Sequence, residues 1–147
     1  MSLLKIAHVP AAIVDAGDTV FYAVTVMARE RVGAVAVVDK TLKGDLQGIF
    51  TERDVMLRVV QEERDSHGTL VRDVMTSPVE TASEKTTAKE ALALMLDRHL
   101  RHLPILGSAG QILGILSTRN LLSNKVEDLE RQLDSMDQFL LNDGPGG

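Results

Sequence analysis

Apolar residues recur at helical spacing in two stretches of the chain that lie 68 residues apart, at 20–28 and at 88–96. Side chains three and four residues apart give each predicted α-helix one apolar face. A short, unbroken apolar run follows each helix, at 35–38 and at 103–106. Such runs are typical of strands that are buried on both sides. The pattern therefore predicts a helix and then a buried strand, twice.

The same order continues beyond these strands. A turn leads in each half to a second apolar strand, at 46–50 and 112–116, and a second helix follows, at 52–61 and from 118 onward. With a strand ahead of its first helix, each half follows a β-α-β-β-α order over about 60 residues. This length is small for an independent domain. We expect an α+β fold in which the two halves pack together with pseudo-two-fold symmetry and share a buried sheet surface.

An internal repeat underlies this organisation. A shift of 68 residues places Pro10 on Pro78 and Thr19 on Thr87, and a shift of 66 places Gly48 on Gly114. The change from 68 to 66 predicts that the loop between the two apolar strands is two residues longer in the first copy, because loops tolerate such differences and strands do not. The chain is therefore interpreted as two copies of one unit.

The segments outside the repeat complete the predicted organisation. We place repeat 1 at 7–62, a linker at 63–77, repeat 2 at 78–124, an amphipathic C-terminal helix at 125–141 and a flexible tail at 142–147, and we expect the polar run at 62–68 to be exposed. The C-terminal stretch has an apolar seam whose members are spaced 4, 3, 4, 3 and 4 residues apart: Leu122, Val126, Leu129, Leu133, Met136 and Leu140. This heptad pattern predicts a helix that is docked either on its own domain or across a dimer.

Composition excludes several classes of protein. The 147-residue chain has a net charge of −5, which argues against a protein that holds a long stretch of nucleic-acid backbone. It contains no cysteine, so disulfides and thiolate metal sites are excluded. No apolar run approaches the 18 or so residues of a membrane span, and no export segment is evident. We expect a cytoplasmic protein with no membrane and no nucleic acid as its target.

Two related motifs close the copies. The first copy ends in 48–54, GIFTERD, the second ends in 114–120, GILSTRN, and 71–76, VRDVMT, lies between the copies. Together these motifs resemble the tandem cystathionine-β-synthase (CBS) domain pair, also called a Bateman module. The resemblance covers residues 7–122 and implies a regulatory module, with no enzymatic activity, that binds an adenosine compound between its repeats.

The motif has a physical rationale for nucleotide binding. Glycine at 48 and 114 permits close approach, and the helix that starts at Thr51 or Ser117 offers free N–H groups to an anion. Three residues later, Asp54 or Asn120 lies on the same helical face. The resemblance implies that the hydroxyl contacts phosphate and that the carboxylate contacts ribose. The alternative from local chemistry is that these hydroxyls are plain helix caps and that Asp54 is a first-turn acid.

The copies differ at the entrance of the buried strand, where the second has Arg101 and His102 and the first has Gly33 and Ala34. The resemblance implies a phosphate contact for these two residues, whereas the alternative is a solvated rim charge. We expect adenine near Met75, Thr76 and Pro104, and one occupied site per chain. The predicted ligand-binding residues are Thr51, Arg53, Asp54, Met75, Thr76, Arg101, His102, Pro104, Ser117, Arg119 and Asn120.

These observations lead to one main functional hypothesis and one alternative. The main hypothesis is a stand-alone regulatory module that requires no cofactor, binds AMP, ADP, ATP or S-adenosylmethionine, and signals as a homodimer. The alternative is a structural module that binds no ligand, dimerises and docks a partner protein. His99 and His102 are three residues apart, but the preceding helix is expected to end between them, so we predict no metal site.

Overall fold

A computed structural model describes residues 2–142 and contains two three-stranded sheets. The first repeat comprises β1 (Ile13–Asp15), α1 (Val20–Glu30), β2 (Ala34–Asp39), β3 (Asp45–Thr51) and α2 (Glu52–Asp54), which continues as a π-helix (Val55–Val60). The second comprises β4 (Ala82–Ser83), α3 (Ala88–Asp97), β5 (His102–Leu106), β6 (Ile112–Ser117) and α4 (Thr118–Asn142). Single 3₁₀ turns lie at Leu3–Lys5, Lys40–Leu42 and Val71–Asp73. The predicted α+β fold of two repeats and a C-terminal helix is confirmed.

The two sheets correspond pair by pair. In each, a parallel pair of strands is followed by an antiparallel pair, and Ala34 opposite Thr51 in the first sheet matches His102 opposite Ser117 in the second. Both antiparallel pairs have a register irregularity at the equivalent place, after Val37 and after Ile105. Between the matched pairs Val38–Leu46 and Leu106–Ile112 the first copy has seven residues and the second has five. The two extra residues, Asp39 and Asp45, pair with each other and extend the strands, so the loops themselves, 40–44 and 107–111, are equally long and the predicted longer loop is wrong.

A threonine hydroxyl caps the first turn of α1 and of α3. The Thr19 hydroxyl accepts from the Tyr22 amide at 3.1 Å, and the Thr87 hydroxyl accepts from the Glu90 amide at 3.1 Å. Each bond satisfies one amide of the first turn, which has no partner within its helix. The helices then bury their apolar faces through residues such as Ala23 and Ala91, which have no exposed surface.

Each sheet has its own apolar core, and each core includes residues that precede the other repeat. Leu3, ahead of repeat 1, is fully buried in the core of repeat 2. Val71 and Val74, ahead of repeat 2, are buried in the core of repeat 1. The 71–76 part of the predicted linker is therefore packed structure, whereas most of the polar run at 62–68 is exposed.

The C-terminal helix does not begin at 125. One continuous helix runs from Thr118 to Asn142, so the last helix of repeat 2 and the predicted amphipathic helix are a single element. Leu121 is buried in the second core, but the seam that follows is exposed. Of the two predicted docking modes, docking on its own domain is therefore wrong. The predicted tail at 142–147 begins on the last helical residue, and 143–147 lie outside the described residues.

Candidate functional site

The helix after β3 begins with a reciprocal pair of hydrogen bonds. The Thr51 hydroxyl accepts from the Asp54 amide at 3.2 Å, and the Asp54 carboxylate accepts from the Thr51 amide at 3.0 Å. This capping box satisfies two donors that the helix cannot satisfy internally. The local alternative for these residues is thus present in the structure: both act as caps.

The end of the linker contacts the same carboxylate from a second side. Thr76 pairs with Ile49 through two backbone hydrogen bonds of 3.0 and 2.8 Å, beside β3. A Cβ on Gly48 would lie 2.6 Å from the Thr76 carbonyl oxygen, so glycine is required for this approach. The predicted close approach at Gly48 therefore exists, and the group that approaches is the backbone of the chain itself.

Asp54 is consequently buried and well connected. It is 7% exposed, and the Thr76 hydroxyl donates to its Oδ1 at 3.1 Å and its Oδ2 at 3.3 Å. The amide and the hydroxyl of Thr51 both donate to Oδ2, and the Arg58 guanidinium lies 3.6 Å from Oδ1. Oδ1 thus has fewer hydrogen-bond donors than Oδ2 and is the oxygen with more capacity for a ribose hydroxyl.

The second repeat has the same construction with neutral groups. The Ser117 amide donates to Asn120 Oδ1 at 2.9 Å, and the Asn120 amide donates to the Ser117 hydroxyl at 3.0 Å. His8 pairs with Ile115 through backbone bonds of 3.0 and 3.1 Å, and a Cβ on Gly114 would lie 2.9 Å from the His8 carbonyl oxygen. His8 is therefore the counterpart of Thr76.

Two cavities lie next to these two helix starts. One, of about 350 Å³, is bordered by Thr51, Arg53 and Asp54 from the first repeat, by Thr76 from the linker and by His99 to His102 from the second repeat. The other, of about 520 Å³, is bordered by Ser117, Arg119 and Asn120 from the second repeat and by Arg31 to Ala34 from the first. Both volumes are in the range of small-molecule sites. We call them the Asp54 cavity and the Asn120 cavity.

The predicted site residues divide between these cavities. Arg101, His102 and Glu52 border both cavities. Met75 and Pro104 border neither: Met75 packs against the first core beside Gly48, and Pro104 is buried within β5 opposite Ile115. Nine of the eleven predicted residues thus border a cavity, and the two that were expected near adenine, Met75 and Pro104, do not.

Sequence reasoning missed several residues that border the cavities. His8 is not among the predicted site residues, although the 68-residue shift places it on Thr76. The same shift places Arg31 on His99, and both adopt a left-handed backbone with φ of 56°. Arg58, also outside the predicted set, is four residues after Asp54 and donates to the Met75 carbonyl at 2.7 Å. Repeat symmetry and helical spacing were the available signals.

Charge favours an anion in both cavities. Three arginines and two carboxylates border the Asp54 cavity, a formal charge of 3 − 2 = +1: Arg53, Arg58, Arg101, Glu52 and Asp54. Three arginines and one carboxylate border the Asn120 cavity, a formal charge of 3 − 1 = +2: Arg31, Arg101, Arg119 and Glu52. These local charges oppose the net negative charge of the chain.

His102 lies at the boundary of the cavities and is neutral near neutral pH. Burial lowers the pKa of His102 because it disfavours the imidazolium; Glu52 opposes this effect and Arg101 adds to it. A Cβ on Gly33 would lie 2.8 Å from Glu52 Oε1 and 3.3 Å from His102 Nε2. The side chains of Glu52 and His102 therefore both lie next to Gly33, which has no side chain of its own to separate them.

The family follows from a comparison with known proteins. The sequence profile of the CBS domain matches residues 5–61 and 71–127. The chain belongs to the CBS-domain family. It contains two CBS domains in tandem, and the resemblance inferred from the motifs is confirmed.

Relatives and solved structures agree with this assignment. An uncharacterized protein of Methanopyrus kandleri is 34% identical over 65% of this chain and 48% of its own length. The mitochondrial CBS domain-containing protein CBSX3 of Arabidopsis thaliana is 32% identical over 84% of this chain and 60% of its own length. The chain thus spans about half to three fifths of these relatives. A protein with CBS domains from Burkholderia ambifaria has a TM-score of 0.76 and 31% identity, with 87% of this chain and 96% of that chain covered.

Two further CBS structures share the fold at lower identity. A CBS domain protein from Pyrobaculum aerophilum complexed with AMP has a TM-score of 0.73 and 22% identity, with 82% of this chain and 89% of that chain covered. CBSX2 in complex with AMP has a TM-score of 0.69 and 20% identity, with 86% and 96% covered. Within residues 2–142 of this CBS pair, no helix has the length and apolar character to span a membrane. The same part of the chain contains no cluster of three potential metal ligands.

Proposed function

We propose that this CBS pair is a regulatory module that binds an adenosine nucleotide between its repeats. The observation that carries the proposal is the pair of cavities at the two capped helix starts, each bordered by residues of both repeats and by Arg101. The AMP complexes of two proteins with this fold support it, because they show that the architecture accommodates an adenine nucleotide. AMP, ADP, ATP and S-adenosylmethionine are the candidate ligands, none of them a required cofactor, and we propose no catalytic role.

The Asp54 cavity is the proposed site of one ligand per chain. Asp54 Oδ1 is positioned to accept from ribose, and a phosphate would interact with the Thr51 hydroxyl and with Arg101 and Arg53. The Asn120 cavity has a larger volume and a more positive border, but the neutral Asn120 gives a weaker acceptor to ribose than a carboxylate does. The proposed preference for the Asp54 cavity therefore rests on the charge of the residue that would contact ribose, which is a carboxylate at Asp54 and a neutral amide at Asn120.

A thermal-shift and calorimetric panel tests this function. Purified protein is titrated with adenosine, AMP, ADP, ATP and S-adenosylmethionine, and GMP serves as the control for the base. A ligand at 100 times its Kd stabilises the folded state by about 2.7 kcal/mol, an increase of several degrees in Tm. Stabilisation by an adenosine compound and not by GMP supports the proposal. No response to any adenosine compound contradicts it.

The alternative function is a structural module that binds no ligand. The specific observation that favours it is the pairing of Asp54, whose oxygens already accept from Thr51 and Thr76. Under this alternative, the motif residues only cap helices. A panel without any response, together with a stable oligomer, would support this alternative over the first.

We also propose that the CBS pair is a homodimer that docks a partner protein. Its helices expose large apolar side chains that a second copy would cover, among them Phe21, Tyr22, Leu92 and Leu96. Light scattering at micromolar concentration tests this, and a 16.0 kDa species would contradict it. The cytoplasmic location remains a prediction from the sequence.

A further inference from the structure

An apolar stripe runs along the part of α4 that extends beyond the second core. Its six members, which we call the α4 seam, are 46–67% exposed: Leu122, Val126, Leu129, Leu133, Met136 and Leu140. Leu121, just before the seam, is buried in the second core and anchors the helix. An anchored helix with one long exposed apolar stripe is suited to association with another helix.

The spacing of the seam assigns heptad positions. Val126, Leu133 and Leu140 occupy position a, and Leu122, Leu129 and Met136 occupy position d. In parallel coiled coils, a β-branched residue at a with leucine at d favours two strands, and one heptad of the seam, with Val126 and Leu129, has this combination. The seam is therefore compatible with pairing to an identical helix in parallel orientation.

Charges beside the seam select the same orientation. Lys125 is at position g and Glu130 is at position e, five residues later. In a parallel pair, Lys125 of one helix faces Glu130 of the other, twice by symmetry. In an antiparallel pair centred on the seam, Glu130 would face Glu130 and the like charges would repel each other.

We propose that α4 pairs with α4 of a second copy as a short parallel two-stranded coiled coil. The proposal rests on the homodimer proposed above but not on the nucleotide. The seam spans fewer than three heptads, which is short for an isolated coiled coil, but here each helix is already anchored at Leu121. Parallel pairing places the second repeats of both copies at the same end of the coiled coil.

Single cysteines test the orientation, since the chain has none. Val126→Cys and Leu140→Cys lie near opposite ends of the seam, and Gln138→Cys at position f is the control. In a parallel pair, equal positions meet, so both seam variants form disulfide-linked dimers under mild oxidation and the control does not. In an antiparallel pair, neither seam variant links to itself, whereas a mixture of Val126→Cys with Met136→Cys does, and this result would overturn the proposal.

Light scattering on the same variants in reducing buffer tests the homodimer separately from the coiled coil. A dimer that fails to cross-link at the seam overturns the coiled coil and leaves the homodimer intact. A monomer overturns both. Nucleotide stabilisation, measured in parallel by thermal shift with AMP, reports on the ligand independently of either result.

Charge reversal gives a second test that does not depend on oxidation. Lys125→Glu places like charges opposite each other and is expected to raise the dimer dissociation constant about tenfold at low salt. Adding Glu130→Lys to the same chain restores the opposite pairing and should restore the dimer. Sedimentation measures both values. A double variant that stays as weak as Lys125→Glu contradicts parallel pairing.

Discussion

The Thr76 hydroxyl donates to the Asp54 carboxylate at 3.1 Å, across 22 residues of chain. This bond joins the end of the linker to the first turn of the helix after β3. It makes Asp54 a structural residue as well as a candidate ligand for ribose. Substitutions at Asp54 therefore need to separate the loss of stability from the loss of binding.

Asp54→Ala should lower both quantities, and Asp54→Asn should separate them. Alanine removes the carboxylate half of the capping box and leaves the Thr51 amide and the Thr76 hydroxyl without their acceptor, so the free energy of unfolding should fall by about 2 kcal/mol. Asparagine can still cap, as Asn120 does in the second repeat, and should cost about 1 kcal/mol or less. Urea denaturation measures both variants.

Nucleotide affinity gives the complementary result. If Asp54 binds ribose, Asp54→Asn should weaken AMP binding by roughly 1.5 kcal/mol or more in calorimetry, because a charge-assisted bond is lost. The matched control is Asn120→Ala, which removes the equivalent acceptor in the other cavity. Unchanged affinity in a folded Asp54→Asn protein would show that this carboxylate is only a cap.

Gly48→Ala should destabilise the protein and disturb the Asp54 cavity. The new Cβ would meet the Thr76 carbonyl at 2.6 Å and force Thr76 away from β3. We expect a loss of about 1–3 kcal/mol in urea denaturation, together with weaker AMP binding. Gly68→Ala is the comparison, since its nearest neighbour is a flexible side-chain carboxylate at 3.1 Å, and it should lose less. Equal losses would contradict the role of the Thr76 contact.

Arg101→Ala should reduce affinity for AMP and leave adenosine binding nearly unchanged. The Arg101 guanidinium borders both cavities and can hold a phosphate bidentately, whereas adenosine lacks that group. Arg98→Ala is the control: it removes an exposed arginine from the same turn that borders neither cavity. Calorimetry at physiological ionic strength checks the result. A loss that is equal for adenosine and AMP would indicate structural damage instead.

Acid should destabilise the fold partly through His102. The pKa of His102 is lowered in the folded state, so the unfolded chain takes up the proton first as the pH falls through about 6.5. The contribution of the neutral ring is thus complete above about pH 6.5 and is lost below it. His102→Gln should reduce the fall in unfolding free energy between about pH 7.5 and pH 5.5, measured by urea denaturation. The control is His99→Gln, because His99 is exposed. If His99→Gln reduces the fall in unfolding free energy as much as His102→Gln does, the effect is not specific to His102.

The repeat made most of the fold predictable from the sequence. Strand register follows from the two shifts of 68 and 66 residues, because residues that match in the repeat occupy the same place in each sheet. The helix caps at Thr19 and Thr87 are local chemistry and were equally accessible. The site at Thr51 and Asp54 was predictable because its motif is short and continuous in the chain.

Contacts between distant segments were not predictable in the same way. The burial of Leu3 in the second core depends on where the chain passes after its first turn, which no local pattern specifies. Met75 was expected to lie near the adenine base of the ligand, but its side chain packs against Gly48 and the first core. Thr76, the next residue, borders the cavity instead, because its backbone pairs with Ile49 beside Asp54.

The burial of Leu3 in one core and of Val71 in the other has a consequence for the integrity of each half. Each half is completed by a short arm that the chain supplies from before the other half. This arrangement is equivalent to a domain-swapped pair of units that one backbone has joined. A single half cut from the chain would lack its arm and expose an open core, so it would be complete only after exchanging arms with a second molecule. The two halves should accordingly unfold together, in one cooperative transition.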